Sequence, residues 1–218
     1  MPQPHFSERY QRYVRDLIAD RPLDEAMAQA VGAGGDYLTT GNTEADLLVH
    51  AGLKPNHSLI DIGCGSGRLS TALSRRFGDA LSYLGIDISP ELLDYARTRA
   101  AASYRFELHD GLTIPAPDGS ADFIVAFSVF THLLHEETYI YLRDARRALK
   151  PGGTIVFSFL ELPHHWSVFD AMAESPGKTF TIFIERSMIE EWAKRLDLQI
   201  SAFNPYPFGQ SVVVLRHR

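Results

Sequence analysis

Apolar positions change their period along this chain, and the changes divide it. From residue 5 to 31, Phe6, Tyr10, Tyr13, Val14, Leu17 and Ile18 recur mostly three and four apart, which predicts a helix. The glycine-rich stretch VGAGGDYLTTGN breaks that pattern, and residues 43 to 52 read as a short helix before a turn at Pro55-Asn56. Beyond His57, short apolar runs alternate with amphipathic helices. SLIDI, LSYLGID, YRFELH, DFIVAFS and TIVFSFLE read as strands. RLSTALSRRF, ELLDYARTRAA and a segment from Tyr139 to Leu149 read as helices. Ser89-Pro90 is a helix start signal, and Lys150-Pro151-Gly152-Gly153 is a stop.

Strands of this length separated by helices predict βαβ units and a parallel sheet covered on both faces. The tail breaks the alternation. Ser187 and Glu190 form a capping-box pattern ahead of MIEEWAKRL, after which LQISAFN and QSVVVLR follow closely. The Pro- and Gly-containing link between them is too short for a helical crossover, so the two strands should pair antiparallel. The predicted fold class is α/β, three layers αβα, with a seven-stranded mostly parallel sheet and one antiparallel C-terminal strand.

Composition narrows the partners. The 218 residues are 45% hydrophobic, enough for one sizeable core and against disorder. No apolar run reaches a membrane span, and no apolar segment follows a basic start at the N-terminus. A net charge of −6 suits a polyanion poorly, so no nucleic-acid partner is expected. Arg143, Arg146, Arg147 and Lys150 read as the basic end of a helix. Cys64 is the only cysteine, which excludes an internal disulfide. The expectation is a cytoplasmic protein that handles a small molecule, of unspecified oligomeric state.

The segment that carries chemistry is LIDIGCGSG, residues 59 to 67. Gly63, Gly65 and Gly67 fall between a strand and a helix, where bare backbone and free helix N–H groups let a ligand approach. The dinucleotide fingerprint would place its third glycine at Arg68. Asp61, Asp87 and Asp110 end three successive strands, on the edge where open α/β sheets bind ligands. Carboxylates there would repel a pyrophosphate and suit a cationic ligand with ribose hydroxyls and a base amine.

DIGCGSG, GID, HDG, FSVFTHL and LKPGG, in this order, resemble class I S-adenosylmethionine-dependent methyltransferases, mainly over residues 55 to 161. The resemblance implies a Rossmann-like fold with S-adenosyl-L-methionine as cofactor and S-adenosyl-L-homocysteine as product. It implies that Gly63, Cys64, Gly65 and Gly67 line the methionine part, with Asp61 ordering the turn. Asp87 would take the ribose hydroxyls, Ile88 would pack on the adenine, and Asp110 would accept from its amine beside Gly111 and Leu112. Phe127, Ser128 and Val129 would floor the sulfonium, and Tyr37 could close over the carboxylate. Residues 1–54 would form a helical lid and 55–161 the cofactor core. Residues 162–218 would be an acceptor-side insertion and the closing strands of the same domain.

Methyl transfer is an in-line displacement in which the protein mainly aligns the reactants. A hydroxyl acceptor also needs its proton removed, and His132, His135, Glu161, His164 and His165 are the candidate bases. Their spacing matches no metal-ligand pattern, so no metal is expected. Tyr10, Tyr13, Tyr37, Trp166, Phe169, Phe180 and Phe183 are candidates for an aromatic acceptor pocket. The expected function is methyl transfer to a small molecule, oxygen ahead of nitrogen. The alternatives are a nicotinamide-dependent oxidoreductase, a non-catalytic S-adenosylmethionine binder and a protein methyltransferase.

Overall fold

A computed structural model describes residues 3–32, 36–176, 181–206 and 209–218. Its strands are β1 (Ser58–Ile62), β2 (Ser82–Asp87), β3 (Arg105–Leu108), β4 (Ala121–Ala126), β5 (Leu149–Phe159), β6 (Leu198–Tyr206) and β7 (Gln210–His217). They form one sheet in the order β3-β2-β1-β4-β5-β7-β6. The pairs from β3 to β5 are parallel, and β7 is antiparallel to both β5 and β6. β7 is therefore the reversed strand, as the short link predicts. Reversal makes it begin, at Gln210, beside the end of β5, because Phe159 pairs with Ser211.

The helices are α1 (Ser7–Asp20), α2 (Leu23–Ala30), α3 (Tyr37–His50), α4 (Arg68–Phe77), α5 (Pro90–Arg97), α6 (His135–Ala148), α7 (Trp166–Glu174) and α8 (Arg186–Arg195). Successive side chains of a strand point to opposite faces. In β1, Ile60 and Ile62 join a core with Leu142 and Ala145 of α6 and Ile189 and Trp192 of α8. Leu59 joins a second core with Leu48 of α3, Leu73 of α4 and Leu93 of α5. Burial on both faces is what makes these strands continuously apolar. A third cluster joins α1 and α2 through Val14, Leu17, Ala26 and Met27, with Leu92 of α5.

Five local readings need correction. The helix expected over 5 to 31 is two helices, because Arg21 is extended (φ −154°, ψ 165°) ahead of Pro22. Within the presumed glycine break, α3 begins at Tyr37 and contains Gly41. There a Cβ would lie 2.4 Å from the Arg68 carbonyl oxygen, so this glycine lets α3 and α4 meet. Helix α6 starts at His135, four residues early, where the Glu137 carboxylate accepts from the Leu134 N–H at 2.9 Å. The Lys150–Gly153 stop lies inside β5, at an irregularity between the pairs Ala121–Leu149 and Phe123–Thr154. Ser187 does not cap α8, whose N-cap is Glu185.

The basic end of α6 is consumed locally, with Arg147 paired to Asp144 and Asp118 and Lys150 to Asp122. Among the described residues no helix is long and apolar enough to cross a membrane.

Candidate cofactor and acceptor site

β1 and β4 are neighbours whose chains continue to opposite sides of the sheet, which opens a crevice between them. The turn after β1 enters it at Gly63, with φ +64°. A Cβ there would stand 2.5 Å from Val129 Cγ2, so only bare backbone fits against the segment after β4. Asp87, at the end of β2, is buried and binds the same turn. Its Oδ2 accepts from the Gly65 N–H at 2.8 Å and its Oδ1 from the Ser89 N–H at 2.9 Å. Burial raises its pKa, and these N–H donors oppose the rise. Asp61 is also buried and accepts from the Tyr83 hydroxyl at 2.6 Å. Burial pushes its carboxyl up to about 8 against the pull of that hydroxyl.

A cavity of about 660 Å³ opens over these groups, a size typical of small-molecule sites. Gly63, Cys64, Gly65, Asp61, Asp87 and Ile88 line it, with Phe127, Ser128 and Val129. Helix α1 supplies Tyr10 and Tyr13, and just before it Phe6 packs its ring 6.1 Å from that of His132. Several bonds fasten the N-terminal helices to the turn. Tyr37 donates to the Ser66 carbonyl at 2.8 Å, Ser66 to the Met27 carbonyl at 3.0 Å, and Gln11 to the Ile88 carbonyl at 2.7 Å. Arg68 reaches the Val31 carbonyl at 2.9 Å and pairs with Glu44, both partners being buried.

A methyltransferase-domain family model matches residues 59–153. Malonyl-[acyl-carrier protein] O-methyltransferase of Serratia marcescens is 31% identical over 159 residues, covering 71% of this chain and 60% of that protein. Residues 59–153 are thus a methyltransferase domain of the class I S-adenosylmethionine-dependent kind. Phosphoethanolamine N-methyltransferase 1 of Arabidopsis thaliana is 29% identical over 130 residues, covering 57% of this chain and 26% of that protein. The matched part thus spans about a quarter to six-tenths of these two relatives. Magnesium protoporphyrin IX methyltransferase from Synechocystis, solved with bound S-adenosylhomocysteine, shares the fold with a TM-score of 0.72 at 17% identity. That comparison covers 98% of this chain and 97% of the other.

The cofactor of this family is S-adenosylmethionine, and the bare-backbone turn with its paired carboxylates fits that group. Not every residue expected around it reaches the cavity. Gly67 ends the turn and caps α4. Tyr37, whose hydroxyl burial pushes up to about 12, braces the turn through Ser66. Cys64 does line the cavity, with its Sγ packed toward Gly85, 2.8 Å from where a Cβ would stand, and burial lifts its thiol pKa. β3 ends at Leu108, and the next residue, His109, lines the cavity instead of Asp110. Asp110 is exposed and accepts from Gln3. Gly111 offers its carbonyl to Tyr141 at 2.9 Å, and Leu112 is in the core.

Of the five candidate bases, His132 alone lines the cavity. The exposed His135 is 2.8 Å from the Phe183 carbonyl. Burial would lift Glu161, but Arg186 and Ser211 hold its carboxyl below the ordinary range, so it is an ion-pair member. His164 is exposed, and His165 stacks on Phe183. Trp166 and Phe169 are exposed on α7, which buries none of its residues, and Phe180 lies outside the described residues. Among the described residues no three His, Cys, Asp or Glu side chains gather as a metal site.

Besides His109 and Phe6, Glu44 and Gln210 escaped the sequence reading. Glu44 faces Arg68 because Gly41 brings α3 close to α4, a signal present only as a glycine in a helix. Gln210 lines the cavity because β7 is reversed, so its first residue reaches the edge where parallel strands end.

Proposed function

We propose that this protein transfers the methyl group of S-adenosylmethionine to a small-molecule acceptor held in the 660 Å³ cavity, an oxygen acceptor ahead of a nitrogen one. Supporting this is one arrangement: the Gly63–Gly67 turn and the Asp61 and Asp87 carboxylates share a cavity with the Phe6–Tyr10–His132 wall. The cofactor supplies an electrophilic methyl group on a sulfonium. Asp87 and the turn hold the nucleoside side, while Asp61, its carboxyl hydrogen-bonded to Tyr83, lies on the methionine side. His109 and Ile88 border the adenine end.

Phe127, Ser128 and Val129 form the floor beneath the transferred group. The aromatic wall excludes water and fixes the acceptor, so alignment supplies much of the rate. His132 takes the proton of a hydroxyl acceptor on an imidazole nitrogen. The helices bonded over the turn restrict access, which favours a small molecule over a folded protein. A cytoplasmic setting belongs to the same reading.

The test is calorimetric titration with S-adenosylmethionine, S-adenosylhomocysteine and NAD, followed by a radiolabelled-methyl screen of hydroxylated, carboxylated and amine metabolites. Binding of both sulfur compounds, with label entering an oxygen-bearing metabolite, is expected. Uptake of NAD with indifference to both sulfur compounds would overturn the assignment. Label entering only proteins would overturn the acceptor class.

A further inference from the structure

Ser128 follows β4 with φ +58°, a left-handed conformation that serine rarely adopts. Two hydrogen bonds hold it there. Its backbone N–H donates to Ser158 Oγ at 2.7 Å, and its own Oγ accepts from Gln210 Nε2 at 3.0 Å. The other end of that amide, Gln210 Oε1, is buried and finds no donor among the described residues. Gln210 is thus oriented through its nitrogen. An amide N–H can only donate, so the lone pair of Ser128 Oγ is engaged and its proton must be directed elsewhere. Among the described residues no acceptor takes that proton, and Ser128 lines the cavity next to Phe127 and Val129.

We propose that the Ser128 hydroxyl donates a hydrogen bond to the methyl-accepting atom, with Gln210 as the positioning residue that turns the hydroxyl toward the cavity. The proposal rests on the methyltransferase reading and narrows its substrate class. An acceptor oxygen has at least two lone pairs, one for the Ser128 proton and one to face the methyl group. A neutral amine nitrogen has a single lone pair and cannot do both at once. The acceptor class is therefore an oxygen nucleophile: a hydroxyl, a phenolate or a carboxylate. The cost of left-handed backbone at Ser128 has a matching rationale, since strain of this kind is kept where a side chain must be aimed.

The test uses the full chain loaded with S-adenosylhomocysteine and two probes, phenol and toluene, which differ by one oxygen. Calorimetry should give wild-type protein a preference for phenol of about five- to tenfold. Ser128→Gly, which accepts positive φ, should retain or raise thermal stability and lose the preference. Gln210→Glu can only accept from Ser128, turns the hydroxyl away from the cavity, and should lose the preference as well. Gln210→Lys retains a donor at that position and should keep it. A wild type that does not distinguish the probes, or binds neither, overturns the proposal. So does a Ser128→Gly or Gln210→Glu variant that keeps the preference, or a Ser128→Gly variant that is markedly less stable. Wild-type binding of S-adenosylhomocysteine is read in the same experiment, so failure of the cofactor reading is seen separately.

Discussion

Replacing Glu44 by Gln should destabilise the protein more than any surface change. Glu44 is 1% exposed and Arg68 9%, and the carboxylate receives both Nε and an Nη of the guanidinium. The variant leaves the guanidinium without this carboxylate while burial persists. Breaking a buried pair from one side costs about 3–5 kcal/mol. For a chain of this size each kcal/mol lowers Tm by about 2–4 °C, so a fall of roughly 6–20 °C is expected. Differential scanning calorimetry and urea unfolding of Glu44→Gln measure it. The double variant Glu44→Leu with Arg68→Met should recover much of the loss, because it removes both charges and keeps apolar volume. A loss below about 1 kcal/mol, the scale of exposed pairs, would refute the reasoning by placing the pair in effective contact with water.

Gly63→Ala should weaken S-adenosylhomocysteine binding at least about tenfold, since φ +64° costs a Cβ residue about 1–2 kcal/mol and Val129 blocks the atom. Adding Val129→Ala should relieve only the steric share, as calorimetric titration of both variants would show. Asp61 binds its proton more tightly folded than unfolded, with a folded pKa of about 8. Its contribution to stability is therefore full at low pH and lost as pH rises from about 4 toward about 8. In Asp61→Asn that part of the slope should vanish, measured by urea unfolding across the pH range; an unchanged slope would contradict the assignment. Asp87→Ala should reduce S-adenosylhomocysteine affinity about ten- to a hundredfold, with circular dichroism confirming that the variant folds.

The central parallel strands β1, β2 and β4 were legible because they are buried on both faces and so read as largely apolar runs, whereas the edge strand β3 buries only Phe106 fully. The β7 reversal was legible from the short link before it. Ser89 was legible as a cap because its role is local, accepting from the Leu92 N–H. What stayed hidden depended on contacts between distant segments. Gly41 looks like a helix breaker until the Arg68 carbonyl lies against it. Acidic strand ends pointed to Asp61 and Asp87, which line the cavity, yet the same rule could not separate Asp110 from His109, because a single residue of turn geometry decides which one faces inward. Five titratable groups near two strand ends looked equivalent in the sequence. Arg186 neutralises Glu161, and of the five only His132 lines the cavity wall.

The reversed last strand also sets an order of assembly. The glycine turn, both buried carboxylates and the N-terminal helices all precede β5, so a growing polypeptide can shape the nucleoside side before Gln210 has been synthesised. Only when β7 inserts between β5 and β6 does the amide reach Ser128. A nascent chain would thus acquire its grip on the methyl donor first and its discrimination between acceptors last.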